Sequence, residues 1–174
     1  MAYLAHFDSG GNLDFTCSAT VVSVNVVLTA ARCAIDGASG GVLDPSGFRV
    51  VTGAADWTDT AHRQVLGVSR VIVDSAYDAS ATTSDAALLV LSTPTSAPAI
   101  RLATSADPCL EQAGTGAVIA GWGDTYSGDP TFNMSFSGRR PCSSGPPTAD
   151  SSCPASPICA PVRGEPPQRR HRHL

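Results

Sequence analysis

Residues 17–33 decide the fold of this chain, and they read Cys17-Ser-Ala-Thr-Val-Val-Ser-Val-Asn-Val-Val-Leu-Thr-Ala-Ala-Arg-Cys33. Apolar and β-branched residues dominate the stretch, with a polar interruption around Asn25. This pattern predicts two β-strands, over residues 15–22 and 26–30. One short helical turn is expected over residues 31–34, directly after the second strand.

The same pattern recurs along the first part of the chain, with turn-forming residues between the apolar runs. Six strands in all are predicted, and they would form a closed Greek-key barrel, which leaves no exposed sheet edge. Residues 8–12 are expected to form a hairpin turn, and residues 93–116 a connection to a second barrel. The predicted strands are residues 2–7, 15–22, 26–30, 48–52, 65–73 and 86–91, followed by residues 117–121 as the first strand of the second barrel.

Two further motifs follow in order, Asp85-Ala-Ala-Leu-Leu-Val-Leu91 and Ala120-Gly-Trp-Gly-Asp124. Together with residues 17–33 they resemble trypsin-like serine proteases of the chymotrypsin fold (the S1 type), over about residues 2–135. In that family the first motif carries the catalytic histidine, the second its aspartate, and the third opens the second barrel. The resemblance implies an all-β fold in which this chain contains the N-terminal barrel of a two-barrel protease.

The resemblance assigns two candidate site residues, and one of them departs from the family. Asp85 stands at the position of the aspartate that orients the histidine. Arg32 stands at the position of the histidine itself, where a protonated guanidinium offers no lone pair to accept a proton. We expect Arg32 to pair with Asp85 at a distance below about 4 Å. A role for Arg32 in tuning a binding cleft is the less favoured alternative.

The family's nucleophile motif, Gly-Asp-Ser-Gly-Gly, does not occur in the sequence. Its nearest imitation surrounds Ser144 but lacks the preceding aspartate and the second glycine, so we do not expect Ser144 to be a nucleophile. His6 and His62 are expected at the surface or at strand edges. His171 and His173 lie in an arginine-rich terminal run and are expected to be solvated.

The resemblance also implies a disulfide between Cys17 and Cys33. Such a bridge would close a loop of about 15 residues and contribute roughly 3 kcal/mol. The other four cysteines, Cys109, Cys142, Cys153 and Cys159, receive no predicted partner. No secretory signal is visible near Met1. The localisation is therefore left open, although members of the family are typically secreted, and without export all six cysteines would stay reduced.

Composition separates residues 1–135 from residues 136–174. The first segment has 13 acidic residues and 5 arginines, whereas the second has 2 acidic residues, 6 arginines and 8 prolines among 39 residues. Few large apolar residues occur in the second segment, so we expect it to be disordered. The resulting domains are residues 1–103 (first barrel), 104–135 (connection and start of a second barrel) and 136–174 (tail).

The sequence therefore predicts a truncated, catalytically inactive member of the protease family. One alternative is a non-catalytic binding module that docks a protein partner through the exposed face of the barrel. Another is a frameshift near residue 135, since the Pro/Arg/Ser/Cys composition of residues 136–174 is what an out-of-frame reading of a GC-rich gene would give. Polypeptide is the expected substrate class by family alone. No cofactor, metal, nucleic-acid partner or membrane span is expected.

Overall fold

The strands form where apolar and β-branched residues alternate with polar ones, close to the predicted positions. The structure is a computed structural model that describes residues 1–56, 59–107, 119–122 and 137–139. β2 is longer than predicted at both ends, because its start pairs with Phe7 beyond a register shift in β1, and its last residue, Ser23, pairs with Val26 beyond a second register shift. The first six strands are β1 (Ala2–Phe7), β2 (Leu13–Ser23), β3 (Val26–Thr29), β4 (Phe48–Thr52), β5 (Gln64–Val73) and β6 (Ala87–Leu91).

These six strands close into one antiparallel barrel in the order β1-β2-β3-β6-β5-β4, which confirms the predicted fold class. β4 pairs back onto β1, with Val50 opposite Leu4, so the sheet has no free edge. β3 pairs with β6 with Val27 opposite Leu89. Closure satisfies the backbone hydrogen bonds that the edges of an open sheet would expose.

The barrel interior is filled by aliphatic side chains and one aromatic ring. Leu4, Val27, Phe48, Val50 and Leu89 are fully buried there. Each comes from a position whose strand neighbours point outward, as the two-residue period of a strand requires. Burial of this apolar area is the main favourable contribution to folding of the barrel.

A second, smaller apolar cluster lies on the outer face of β1 and β4. Tyr3, Ala5 and Val51 are buried there, and Trp122 packs edge-on against the Tyr3 ring at a centroid distance of 6.0 Å. The Trp122 indole N–H donates to the carbonyl of Ala55 at 2.8 Å. The start of the Gly-Trp-Gly motif is therefore anchored to the outside of the first barrel.

Aspartates organise most loops of the barrel. In each of six loops an aspartate carboxylate accepts a hydrogen bond of 2.7–3.0 Å from the backbone N–H two residues further on. This arrangement holds the loop in a turn without a glycine at every position. The six aspartates are Asp8, Asp36, Asp44, Asp59, Asp74 and Asp78.

The chain divides into two compact units, one of residues Met1–Ala103 and Ala120–Gly138, the other of Thr104–Ile119 and Arg139–Leu174. Two further strands, β7 (Ile119–Gly121) and β8 (Ser137–Arg139), form a two-stranded sheet. β8 falls within the segment predicted to be disordered, and the rest of that segment, residues 136 and 140–174, lies outside the described residues. The three-part domain division remains a prediction. Within the described part of the chain, no helix combines the length and apolar character needed to cross a membrane.

Candidate active site

Arg32 and Asp85 meet at one end of the barrel. Arg32 lies in a 3₁₀ turn (Ala31–Cys33) directly after β3, and Asp85 lies two residues before β6. Since β3 and β6 are neighbours, with Thr29 opposite Ala87, their adjoining loops are brought together. The sequence expectation that these two residues form an ion pair agrees with the structure.

The contact between the two residues has two parts. The backbone N–H of Arg32 donates to Asp85 Oδ1 at 2.9 Å, and the guanidinium Nη1 donates to Asp85 Oδ2. The Arg32 side chain is 63% exposed, whereas that of Asp85 is only 14% exposed. The carboxylate is therefore largely covered, and the positive group faces the solvent.

The loop that presents Asp85 contains strained backbone. Thr82 and Ser84 both have φ of +52°, in the left-handed region that side chains with a Cβ seldom adopt. Asp78 and Thr83 exchange two backbone hydrogen bonds, and the N–H of Ala86 donates to the carbonyl of Ser84 at 2.8 Å. The Asp78–Thr83 pair closes the loop before Asp85, and the bond from Ala86 to Ser84 makes a tight turn centred on Asp85. Nothing in the sequence signals this turn, because neither strained position is a glycine or an asparagine.

Cys17 and Cys33 form a disulfide with Cα atoms 6.5 Å apart. The bridge ties β2 to the 3₁₀ turn that contains Arg32. Cys33 is buried against the barrel core, and Cys17 packs on the same cluster. The backbone at Arg32 is thus fixed both by the bridge on one side and by Asp85 on the other.

The expectation for His6 is wrong. His6 is only 5% exposed, stacked on Phe15 at a centroid distance of 5.1 Å and tilted against Phe48 at 4.7 Å. Its Nδ1 lies 3.2 Å from a carboxylate oxygen of Asp14. His6 shares the inward-facing side of β1 with Leu4, and this explains its burial. It does not reach Asp85 and takes no part in the Arg32 site.

His62 is exposed, as expected, and its Nδ1 lies 2.7 Å from Asp59 Oδ2. This hydrogen bond is the largest contribution that lowers the pKa of the Asp59 carboxyl below its usual value. Ser144, His171 and His173, and the cysteines at 109, 142, 153 and 159, lie outside the described residues. Within the described residues, no group of three or more His, Cys, Asp or Glu side chains is arranged to hold a metal ion.

The family model named Trypsin matches residues 1–162, so the chain belongs to the trypsin family. The match extends beyond residue 135, where the resemblance of the motifs ends, so the family relationship covers more of the chain than those motifs indicate. The six-stranded closed barrel and the order of the Arg32 and Asp85 positions agree with this membership.

Individual relatives are known proteases of arthropods. Serine protease SP24D of Anopheles gambiae is 37% identical over 123 residues, which are 68% of this chain and 41% of that protein. Trypsin zeta of Drosophila erecta is 33% identical over 124 residues, which are 68% of this chain and 40% of that protein. The chain thus spans about two fifths of the length of either relative.

Two solved structures share the fold at low sequence identity. The structure of GrC has a TM-score of 0.63 at 21% identity, and the match covers 80% of this chain and 57% of that one. The scabies mite inactivated protease paralogue S-D1 has a TM-score of 0.64 at 17% identity, covering 80% of this chain and 55% of that one.

Proposed function

We propose that this chain is a catalytically inactive member of the trypsin family, in which Arg32 replaces the general base. The observation that carries the proposal is the ion pair between Arg32 and Asp85. A guanidinium paired with a carboxylate stays protonated and cannot take a proton from a serine hydroxyl. The first step of the triad mechanism therefore has no acceptor.

Asp85 keeps its place but has a different task. In a triad, the aspartate orients an imidazole and stabilises its charged form. Here both carboxylate oxygens accept hydrogen bonds from Arg32, so the same carboxylate holds a permanent cation. The scabies mite protein, named an inactivated protease paralogue, provides a precedent for loss of activity in this fold.

The nucleophile is a second reason for inactivity. The 174 residues contain no Gly-Asp-Ser-Gly-Gly string, and the sequence around Ser144 supplies neither its aspartate nor its paired glycines. Nucleophile and base act as a unit, so loss of either removes almost all triad catalysis, by about 10⁶-fold in a well-studied protease. Restoring the base alone should therefore not restore hydrolysis.

The test compares the purified chain with its Arg32→His variant on ester and amide substrates. We expect no turnover from either protein. The imidazole of Arg32→His should nonetheless bond Asp85, which an NMR signal from its Nδ1–H would report. Turnover by the variant, abolished by a serine-directed phosphonylating reagent, would overturn the proposal and identify a serine such as Ser144 as nucleophile.

A binding role without catalysis is the second candidate function. The closed, disulfide-linked barrel and the exposed guanidinium of Arg32 favour it, because they preserve a rigid surface with a charged group at the cleft. Polypeptide is the partner class that the protease family suggests.

The nucleotide sequence tests the remaining alternative, a frameshift near residue 135. A second reading frame encoding Gly-Asp-Ser-Gly-Gly after codon 135 would indicate such a frameshift.

A further inference from the structure

An open pocket of about 460 Å³ lies beside the ion pair between Arg32 and Asp85. One wall is formed by β2 and β3, and the other by Arg32, Asp85 and the residue that follows it. A pocket of this size can hold a small ligand or the last residues of a peptide.

The charges in this pocket are distributed unequally. The Arg32 side chain is 63% exposed and Asp85 14%, so a ligand meets the guanidinium before it meets the carboxylate. A guanidinium has five N–H donors, and Asp85 is bonded through Nη1. In the described part of the chain, no other carboxylate forms an ion pair with Arg32. Donors therefore remain available for a second oxyanion.

The walls combine hydroxyl groups with small apolar ones. Ser18 is exposed at the pocket and is positioned by β2, while the Thr29 hydroxyl donates to the carbonyl of Ser18 at 3.0 Å and the Thr20 hydroxyl donates to Met1 Sδ at 3.6 Å. Leu28, Ala30 and Ala86 line the pocket with aliphatic groups. The Arg32 guanidinium, the Ser18 hydroxyl and the short apolar walls together suit a carboxylate attached to a small apolar group.

The neighbouring Asp85 determines which anion is favoured. Its negative charge offsets the Arg32 charge, so the pair provides no net positive charge that would favour a dianion such as phosphate over a monoanion. A planar carboxylate also matches the planar donor fork of a guanidinium. The geometry therefore favours a carboxylate over a phosphate.

We propose that this pocket binds the carboxylate of a polypeptide, with the Arg32 guanidinium bridging Asp85 and the ligand. This inference rests on the proposed function, because a triad protease would need an imidazole at residue 32. The carboxylate is that of a peptide C-terminus with a small apolar last residue, or that of an aspartate or glutamate side chain.

The experiment follows the Arg32 Nε–Hε resonance of the full chain by NMR during titration with three peptides. These are acetyl-Ala-Ala-Val with a free carboxylate, the same peptide as its amide, and acetyl-Ala-Glu-Ala amide. We expect saturable shifts with the free acid and binding of the uncharged amide about tenfold weaker or more, since it lacks the charge-assisted contact. Saturable binding of the glutamate peptide would assign the site to side-chain carboxylates as well.

Variants of the full chain show whether this pocket is the site of peptide binding. In these variants the chemical shifts of the backbone amides report both binding and the retained fold. Arg32→Gln should lose binding of the free acid by about tenfold or more, whereas Arg70→Gln, at an exposed arginine on β5, should bind as the native chain does. Asp85→Asn should bind the free acid at least as tightly, because the competing carboxylate is gone.

Equal binding of acid and amide, or unchanged binding by Arg32→Gln, would overturn the inference. So would the absence of saturable shifts with all three peptides. These results would leave catalytic inactivity standing, whereas cleavage of a peptide substrate would refute inactivity whether or not carboxylates bind.

Discussion

The backbone N–H of Arg32 and its guanidinium both bond the carboxylate of Asp85, 53 residues further along the chain. The backbone contact does not depend on which side chain occupies position 32. It therefore holds Asp85 in place whichever side chain stands at residue 32, so the replacement proposed above leaves the geometry of the site intact.

Substitutions at Asp85 should separate the two contacts. Asp85→Asn keeps an oxygen that can accept from the backbone N–H of Arg32 and loses only an ion pair whose guanidinium is exposed to solvent, so we expect a loss of less than about 1 kcal/mol in the free energy of unfolding. Asp85→Ala removes both contacts and should cost about 1–2 kcal/mol. Urea unfolding measures the free energy of unfolding of both variants. Arg32→Ala serves as the control, because it removes the guanidinium and keeps the backbone contact. Equal losses for Asn and Ala would show that the backbone contact contributes nothing.

Relief of the backbone strain at Thr82 should increase stability, whereas the substitutions at Asp85 should decrease it. Thr82 is exposed and β-branched, and its φ of +52° is unfavourable for such a residue. Thr82→Gly should raise the free energy of unfolding by about 0.5–1 kcal/mol, since relief of strain exceeds the entropy that glycine adds to the unfolded chain. Thr82→Ala, which keeps a Cβ, should gain less. A lower stability of the glycine variant in thermal unfolding would contradict this account.

Much of the barrel could be predicted from the sequence because strand alternation is a local signal. β4 (Phe48–Thr52) begins and ends where residues 48–52 predict it, and the ion pair at Arg32 follows from the resemblance of the two motifs to those of the protease family. The burial of His6 could not be predicted in the same way. His6 lies on the inward side of β1 with Leu4, but a histidine at the end of a strand is usually exposed, and its contacts with Phe15 and Phe48 on neighbouring strands account for the burial.

The turn at Asp85 and the pocket beside it were also not predictable, for a different reason. The left-handed backbone at Thr82 and Ser84 is imposed by hydrogen bonds across the loop and not by residue type. The pocket depends on the approach of β2, β3 and the loop before β6, which only the closed barrel brings together.

Buried His6 restricts its neighbour Gly47. A Cβ built on Gly47 would lie 2.7 Å from His6 Nε2 and 2.8 Å from the carbonyl oxygen of Phe7. Gly47→Ala should therefore lower the free energy of unfolding by about 1–3 kcal/mol through overpacking.

The cost of Gly47→Ala should fall in a His6→Ala background but not vanish, because the Phe7 carbonyl remains. A double-mutant cycle in urea provides the measurement. Strict additivity of the two substitutions would show that the imidazole does not restrict position 47.

The aspartates that cap the loops should make the barrel sensitive to acid. Hydrogen bonds from the backbone N–H of Asn12 lower the pKa of Asp8, and those from Ala38 lower the pKa of Asp36. For Asp78, the hydrogen bond from the Ser80 hydroxyl makes the largest contribution to a lowered pKa. A carboxyl with a lower pKa when folded binds fewer protons in the folded state, so protonation favours unfolding. The contribution is present above the unfolded pKa, about 4, and is lost as the pH falls through the folded values.

The triple variant Asp8→Asn, Asp36→Asn and Asp78→Asn tests this mechanism, because asparagine keeps an oxygen that can cap the same turns but does not titrate. Its urea midpoint should fall less steeply than that of the native chain below about pH 4, while the two proteins should differ little in slope between pH 5 and 7. Carbon-13 NMR of the side-chain carboxyls gives the three pKa values independently. Identical acid dependence of the native and triple-variant midpoints would show that these caps do not couple folding to protonation.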